Sequence, residues 1–330
     1  MVVVHPESLE EGGHGPTRTR GDGETRWTCA LVNNMPDGAF IETERQFLGL
    51  LGAGSGDEAL DTRRYSMPSI PRGEAIAKRI AEDYAPVGTI ADHPPDLLVV
   101  TGANPVESVL QSEPFWPELV ALLSWASEHV QSMMLSCLSA HAALSVFNGL
   151  ERQPLSAKCT GVFRQTVDTA DPLASGLRAS LVLPHSRLNA VPTAQLRSAG
   201  YRIPVLSDVG WSVATRGINR AEVVLVQAHP EYGPTSLLRE YHRDARRFVR
   251  QERDDPPVLP LRCVAPGDRR SLERLHRRIT GGEREPAIVD SFPFDQVGAR
   301  ARWPWHAAAG RLYANWLTGV PKTGVATRSA

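Results

Sequence analysis

Residues 96–150 read DLLVVTGANPVESVLQSEPFWPELVALLSWASEHVQSMMLSCLSAHAALSVFNGL, and this stretch decides the fold. Leu97 to Val100 is an unbroken apolar run that ends in Thr101-Gly102, the mark of a strand buried on both faces that hands over to a loop. FWPELVALLSWASEHV places its apolar residues at helical spacing. VQSMMLSC is a second buried run, and LSAHAALSVFNGL reads as a helix stopped at Asn148-Gly149. Strand, helix, strand, helix is the pattern of a parallel sheet covered by helices, so the sequence predicts an α/β fold: three layers, a mostly parallel sheet with helices on both faces.

Upstream, WTCALVNN reads as a buried strand from Trp27, IETERQFLGLL as a helix, residues 52–61 as a Gly/Ser/Asp loop and Glu74 to Asp83 as a short helix. Downstream, SLVLPH, YRIPVLSD, WSVATRG and AEVVLVQAHP read as strands. The last two form a hairpin turning at Gly217-Ile218-Asn219, and TSLLREYHRDARRFVRQE follows as a long helix. The chain therefore divides into four parts. Residues 1–26 are poor in large apolar side chains and are expected to stay disordered. Residues 27–255 form the α/β domain. Residues 256–298 read as an irregular charged insertion with one exposed helix near Arg269 to Ile279. Residues 299–330 contain the Trp-rich amphipathic stretch ARWPWHAAAGRLYANWLTGV, expected to pack back on the domain.

Composition excludes several classes. With 36 basic and 37 acidic residues among 330, the chain lacks the basic excess of a nucleic-acid binder. No apolar run is long enough for a membrane span, and the N-terminus lacks the apolar core of a secretory signal, so a cytoplasmic protein is expected. Four cysteines are too few for a disulfide scaffold, and none forms a CxxC pair, so no metal site is expected.

One of those cysteines is the leading candidate for chemistry. Cys137 stands where a buried strand turns into a helix, at the sheet edge where open α/β sheets place their ligands. The N–H groups and dipole of the following helix favour a thiolate and can hold an oxyanion. On position alone an inert buried thiol is as good a reading. His229 tips the balance: it closes EVVLVQAHPEYG, again at a strand end, with Glu231 two residues on. A thiol, an imidazole to take its proton and a carboxylate to orient the imidazole make a nucleophilic triad.

With these residues the sequence resembles the homoserine O-acyltransferases (homoserine O-succinyltransferase and its O-acetyl relatives) of the class I glutamine-amidotransferase-like superfamily. The resembling blocks run in order: VNNMP with IETERQFLGLL, DLLVVTGANPVE, the segment leading to Cys137, LSAKCTGVF, LPHSRLNAVP, AHPEYGPTSLLREYHRD and WPWHAAAGRLYANWL. The resemblance implies that Cys137 takes the acyl group from acetyl-CoA or succinyl-CoA as co-substrate, with His229 as base, Glu231 as its partner and the Leu138 backbone N–H as oxyanion donor. It further implies substrate contacts from Lys158, Ser186 and Arg243, the last on the amino acid's carboxylate. It implies small-molecule partners, a homodimer and no bound cofactor. Glu107 falls near the position that sorts acetyl from succinyl donors in this family. A carboxylate there would repel succinate, which favours acetyl.

The sequence also departs from the family. Cys137-Leu138-Ser139-Ala140-His141 stands where a Trp, a small residue and Ala-Gln are usual, and the GANPVE and MPDGAFIETE loops read as longer. The acceptor is accordingly read as homoserine or a related amino acid such as serine. Two rivals stay open: a Cys-dependent hydrolase or glutamine amidotransferase on the same fold, and a catalytically silent relative. Against the amidotransferase, no GxxxxGK[ST] phosphate loop is present.

Overall fold

A computed structural model describes residues 25–56, 58–107 and 109–320. The tail expected to be disordered lies, apart from its last two residues, outside the described residues, as does the chain beyond 320. Ten strands form one sheet: β1 (Thr25–Val32), β2 (Ala59–Ser66), β3 (Ala85–Pro86), β4 (Leu97–Val100), β5 (Ser132–Ser136), β6 (Gln153–Val167), β7 (Ser180–Ala190), β8 (Arg202–Ser207), β9 (Gly210–Ile218) and β10 (Ala221–Val226). Their order is β3-β2-β1-β4-β5-β10-β9-β8-β6-β7. The first six run parallel, and from β10 onward every pairing is antiparallel.

The central strands β4, β5 and β10 are apolar through their middles because both faces are covered. Leu97 and Val99 of β4, Met134 of β5 and Val224 and Val226 of β10 point to one core. That core is closed by α1 (Asp37–Ser55), α6 (Ser236–Val249) and α10 (His306–Gly319) through Phe47, Leu51, Leu237, Tyr241, Leu312 and Trp316. Leu98 and Val100, Met133 and Leu135, Val223 and Leu225 face the other side. There they meet α3 (Trp116–His129) and α4 (Leu138–Asn148). Each of these side chains contributes about 1.5–3 kcal/mol on burial. The helix stop at Asn148-Gly149 is as expected: Gly149 takes a left-handed φ of 64°, its N–H bonds the Ser145 carbonyl at 2.9 Å, and the Leu150 N–H bonds that of Leu144 at 3.1 Å. The hairpin between β9 and β10 turns at Asn219, with φ of 50°.

Three segments differ from the sequence reading. Helix α1 begins earlier, at Asp37, and runs on through Ser55, and β2 follows where a loop was read. The 15-residue β6 spans the LSAKCTGVF block, whose composition does not mark it as a strand. Residues 256–298 are not irregular: after α2 (Glu74–Asp83) and α5 (Thr193–Ser198) on the main body, they add α7 (Pro266–Thr280), α8 (Pro286–Asp290) and α9 (Phe294–Ala299). Leu272, Leu275, Ile279, Ile288, Val289, Phe294 and Val297 join the first core. The dense charge in this segment is the outer face of amphipathic helices, not a sign of missing structure.

Candidate active site

Cys137 is the residue between β5 and α4. Its backbone is held at φ 48°, ψ −102°, a positive-φ conformation uncommon for any residue other than Gly. Such strain costs about 1–3 kcal/mol and persists only where the surroundings impose it. Here the Cys137 N–H bonds the Val226 carbonyl at 2.7 Å, the His141 N–H bonds the Cys137 carbonyl at 3.1 Å, and Ser139 Oγ donates to the Thr101 carbonyl at 2.6 Å. The half-buried thiol is thereby presented above the sheet edge. Leu138 is the first residue of α4, so its N–H is among the four that the helix itself leaves unsatisfied. Gly102 closes the other side: a Cβ there would stand 3.6 Å from that of Cys137.

The candidate base arrives from the neighbouring strand. β10 pairs with β5 with Val226 opposite Ser136, so the chain segments leaving the two strands are adjacent. His229 is anchored by its N–H to the Pro184 carbonyl at 2.8 Å. Its Nδ1 lies 2.8 Å from Glu231 Oε1 and its Nε2 3.3 Å from the Ser186 carbonyl. Both ring nitrogens thus face acceptors. Burial opposes the charged ring, but the Glu231 carboxylate and the adjacent Cys137 sulfur outweigh it and raise the His229 pKa well above its ordinary value. The arrangement favours a protonated His229 ring beside the Cys137 sulfur.

The residues implied by resemblance meet around a carboxylate that the sequence reading missed. Glu240 Oε2 accepts from Lys158 Nζ at 3.0 Å and from Ser186 Oγ, and its Oε1 accepts from the Tyr232 hydroxyl. The Tyr232 ring in turn stacks on His229 with centroids 4.3 Å apart. Burial would raise the Glu240 pKa. Lys158, Ser186, Tyr232 and His229 together bring it down to about 2. Lys158 is not a surface lysine: its side chain is 16% exposed and also reaches Asp244 Oδ2 at 3.1 Å. Arg243 bonds Asp244 Oδ1 through Nε at 3.2 Å and Nη2 at 3.1 Å, and at 53% exposure keeps its other N–H groups accessible. Lys158, Ser186 and Arg243 are therefore joined to the triad through Glu240, Asp244 and Tyr232. The one advance signal for Glu240 was its place three residues before Arg243, on the same helical face.

Arg187, which with His185 in the PHSR block reads from sequence equally well as structural, lies in the same region. It is 5% exposed, and among the described residues it forms no ion pair with a carboxylate. Its Nη1 contacts His185 Nδ1 at 2.8 Å and Cys159 Sγ at 3.3 Å, Nη2 donates to the Val209 carbonyl, and Nε has no partner. Burial, Arg187 and His229 together keep His185 well below its ordinary pKa. His141, from the unusual LSAHA run, is a neutral core residue: burial brings its pKa to about 4, and Nε2 meets Gln227 Oε1 at 2.9 Å. Glu107 lies exposed on the loop after β4, where its N–H bonds Glu113 Oε1 at 2.6 Å. Among the described residues no group of three or more His, Cys, Asp or Glu side chains is arranged to hold a metal, and no helix is long and apolar enough to cross a membrane.

Comparison with known proteins fits this geometry. Residues 19–323 match the model of the homoserine O-succinyltransferase family. The homoserine O-succinyltransferase of Rhodopseudomonas palustris is 38% identical over 291 residues, covering 88% of this chain and 87% of that protein. That of Methylorubrum extorquens is 37% identical over 300 residues, covering 90% and 88%. Among solved structures, a glutamine amidotransferase from Methylobacillus flagellatus aligns at a TM-score of 0.49 and 15% identity, over 93% of this chain and 99% of that one. The triad, the ordered blocks around it and a family match spanning nearly the whole chain lead to one conclusion: the chain belongs to the homoserine O-succinyltransferase family of acyltransferases.

Proposed function

We propose that this protein moves an acyl group from an acyl-coenzyme A thioester to the side-chain hydroxyl of L-homoserine in two half-reactions through a Cys137 thioester. The observation that carries the proposal is the placement of Cys137 and of the buried His229–Glu231 pair on adjacent strand ends. In the first half-reaction the Cys137 thiolate attacks the thioester carbonyl while His229 holds the proton. The oxyanion is stabilised by the Leu138 N–H and the start of the loop at Gly102. Collapse breaks the carbon–sulfur bond to coenzyme A, which leaves with the proton from His229. In the second, His229 takes the proton of the acceptor hydroxyl, whose oxygen attacks the acyl-enzyme. Collapse then expels the Cys137 thiolate.

The acceptor is a zwitterion and needs groups of both signs. Arg243, with unused N–H groups, and Lys158, with a third N–H, suit its carboxylate. Glu240, held ionised, suits its ammonium group. Homoserine is favoured over serine because the relatives are homoserine O-succinyltransferases by name. The same names favour succinyl-CoA as donor. The contrary preference for acetyl rested on Glu107, and its exposed position lends that preference no support.

Purified protein is incubated with succinyl-CoA or acetyl-CoA without acceptor and weighed intact, with Cys137→Ala as control. The expected result is a gain of one succinyl group that vanishes in the variant and is discharged on adding homoserine. Slow discharge to water alone would make the protein a hydrolase. No adduct and no release of coenzyme A with either donor would overturn the proposal.

A further inference from the structure

We infer that Trp303 and Trp305 are positioning residues that clamp the turn carrying His229 and Glu231, so that the C-terminal segment sets the place of the base. The inference rests on the reading of His229 as the base of the reaction.

Between the end of β10 at Val226 and the start of α6 at Ser236 no regular element holds the backbone. Residues 227–235 nevertheless carry the base, its carboxylate and the tyrosine stacked on it. The near end of the turn is tied to neighbouring strands: the Gln227 N–H to the Ser212 carbonyl at 2.9 Å and the His229 N–H to the Pro184 carbonyl at 2.8 Å. Inside the turn, the Tyr232 N–H bonds the His229 carbonyl at 3.1 Å. The far end joins α6, with the Ser236 N–H on the Gly233 carbonyl at 3.2 Å and the Arg239 N–H on the Thr235 carbonyl at 2.9 Å, and is tied to the C-terminal segment at one atom. The Tyr232 carbonyl accepts from Trp303 Nε1 at 3.0 Å and from Trp305 Nε1 at 2.7 Å. A carbonyl oxygen has two lone pairs, and two indoles from one Trp-Pro-Trp run use both.

The clamp is rigid on its own side. Trp305 is 3% exposed and is the residue from which α10 starts, and α10 is seated in the core by Leu312, Tyr313 and Trp316. Its pull acts through Tyr232, whose ring stacks on His229 and whose hydroxyl bonds Glu240. Packing alone does not explain the pair. Trp303 is 40% exposed against 3% for Trp305, yet its N–H is turned onto the same carbonyl.

The test replaces indole N–H donors while keeping an aromatic ring: Trp305→Phe, and Trp303→Phe in parallel. Two readouts are taken on full-length protein whose fold is checked by circular dichroism. One is the rate of acyl-enzyme formation from succinyl-CoA. The other is the rate of iodoacetamide alkylation at Cys137, read by peptide mass at pH 6 and pH 9, which needs no substrate. A base displaced by a fraction of an ångström should slow acyl-enzyme formation at least ~10-fold in Trp305→Phe. The alkylation rate at pH 6 should fall several-fold relative to pH 9, because the imidazolium no longer supports the thiolate. Trp303→Phe should show the same changes, smaller. A folded Trp305→Phe with the wild-type ratio of alkylation rates would overturn the inference. If Trp305→Phe does not fold, a folded Trp303→Phe with the wild-type ratio would do the same. A shifted ratio in a protein that neither acyl-CoA acylates leaves the clamp standing and removes the acyltransferase reading instead.

Discussion

Replacing Glu240 by Gln removes the charge at the centre of the network that joins Lys158, Ser186 and Tyr232 to His229, and its cost can be worked out from the structure. A carboxyl held at about 2 instead of its ordinary 4.5 prefers the ionised form in the folded protein. At 1.36 kcal/mol for each pH unit, that preference is about 3 kcal/mol. The side chain is 17% exposed, so solvent screens little of it. Because the folded pKa is depressed, the contribution is fully present above pH 4.5 and is lost as pH falls through about 2. Urea unfolding of wild type and Glu240→Gln at a series of pH values is the assay. At pH 7 the variant should be less stable by about 3 kcal/mol. The gap should stay level to about pH 5 and close steadily below it. A variant within about 0.5 kcal/mol of wild type at pH 7, or a gap that does not change down to pH 3, would refute the account of Glu240 as the anionic hub.

Other expectations follow from the same geometry. The raised pKa of His229 adds stability that is full below the ordinary imidazole value and is lost as pH rises through the raised one, so Glu231→Gln should be most destabilising in acid-to-neutral solution, and its unfolding difference from wild type should shrink toward alkaline pH. Nitrogen NMR of the His229 ring should in the same variant show its titration moved down toward the ordinary range. Arg187→Met removes a buried cation without a carboxylate partner, so thermal unfolding should show it within about 1 kcal/mol of wild type or above it. The same variant should form the acyl-enzyme at least ~10-fold more slowly, since Arg187 is a fixed positive charge near Cys137. Gly161→Ala places a Cβ 2.6 Å from the Leu261 carbonyl oxygen at a φ of 143°, and should cost more than about 2 kcal/mol in chemical denaturation.

The parts of the molecule legible in its sequence are those where a single physical rule dominates. The central strands show because burial on both faces makes them mostly apolar, and Cys137 and His229 stand out as candidates because each follows such a strand. β2 was hidden because ALDTRRYS is polar in composition, yet Arg64 is largely covered and bonds Glu44 at 3.1 Å, a pairing supplied by α1. β6 was hidden because its first half is mostly exposed and its burial becomes nearly continuous only from Thr160 to Val162 and Phe163. Gly161 in that strand has a reason invisible in one dimension: residues around Leu261 cross directly over it, with the Val162 N–H on the Leu261 carbonyl at 2.8 Å. Glu240 and Arg187 look in sequence like any surface charge. What sets them apart is who surrounds them, and those partners come from β6, β7 and the turn after β10.

The strand order carries a further consequence for how the enzyme comes into being. β10 enters the sheet between β5, made long before it, and β9, made just before it. His229 follows Cys137 by 92 residues, so a ribosome has released the thiol well ahead of its base. Until β10 is seated, Cys137 lacks the Val226 carbonyl that bends its backbone and the imidazole that would carry its proton. The candidate nucleophile and its candidate base are therefore brought together only by β10, the last strand of the sheet in chain order and one inserted between two made before it.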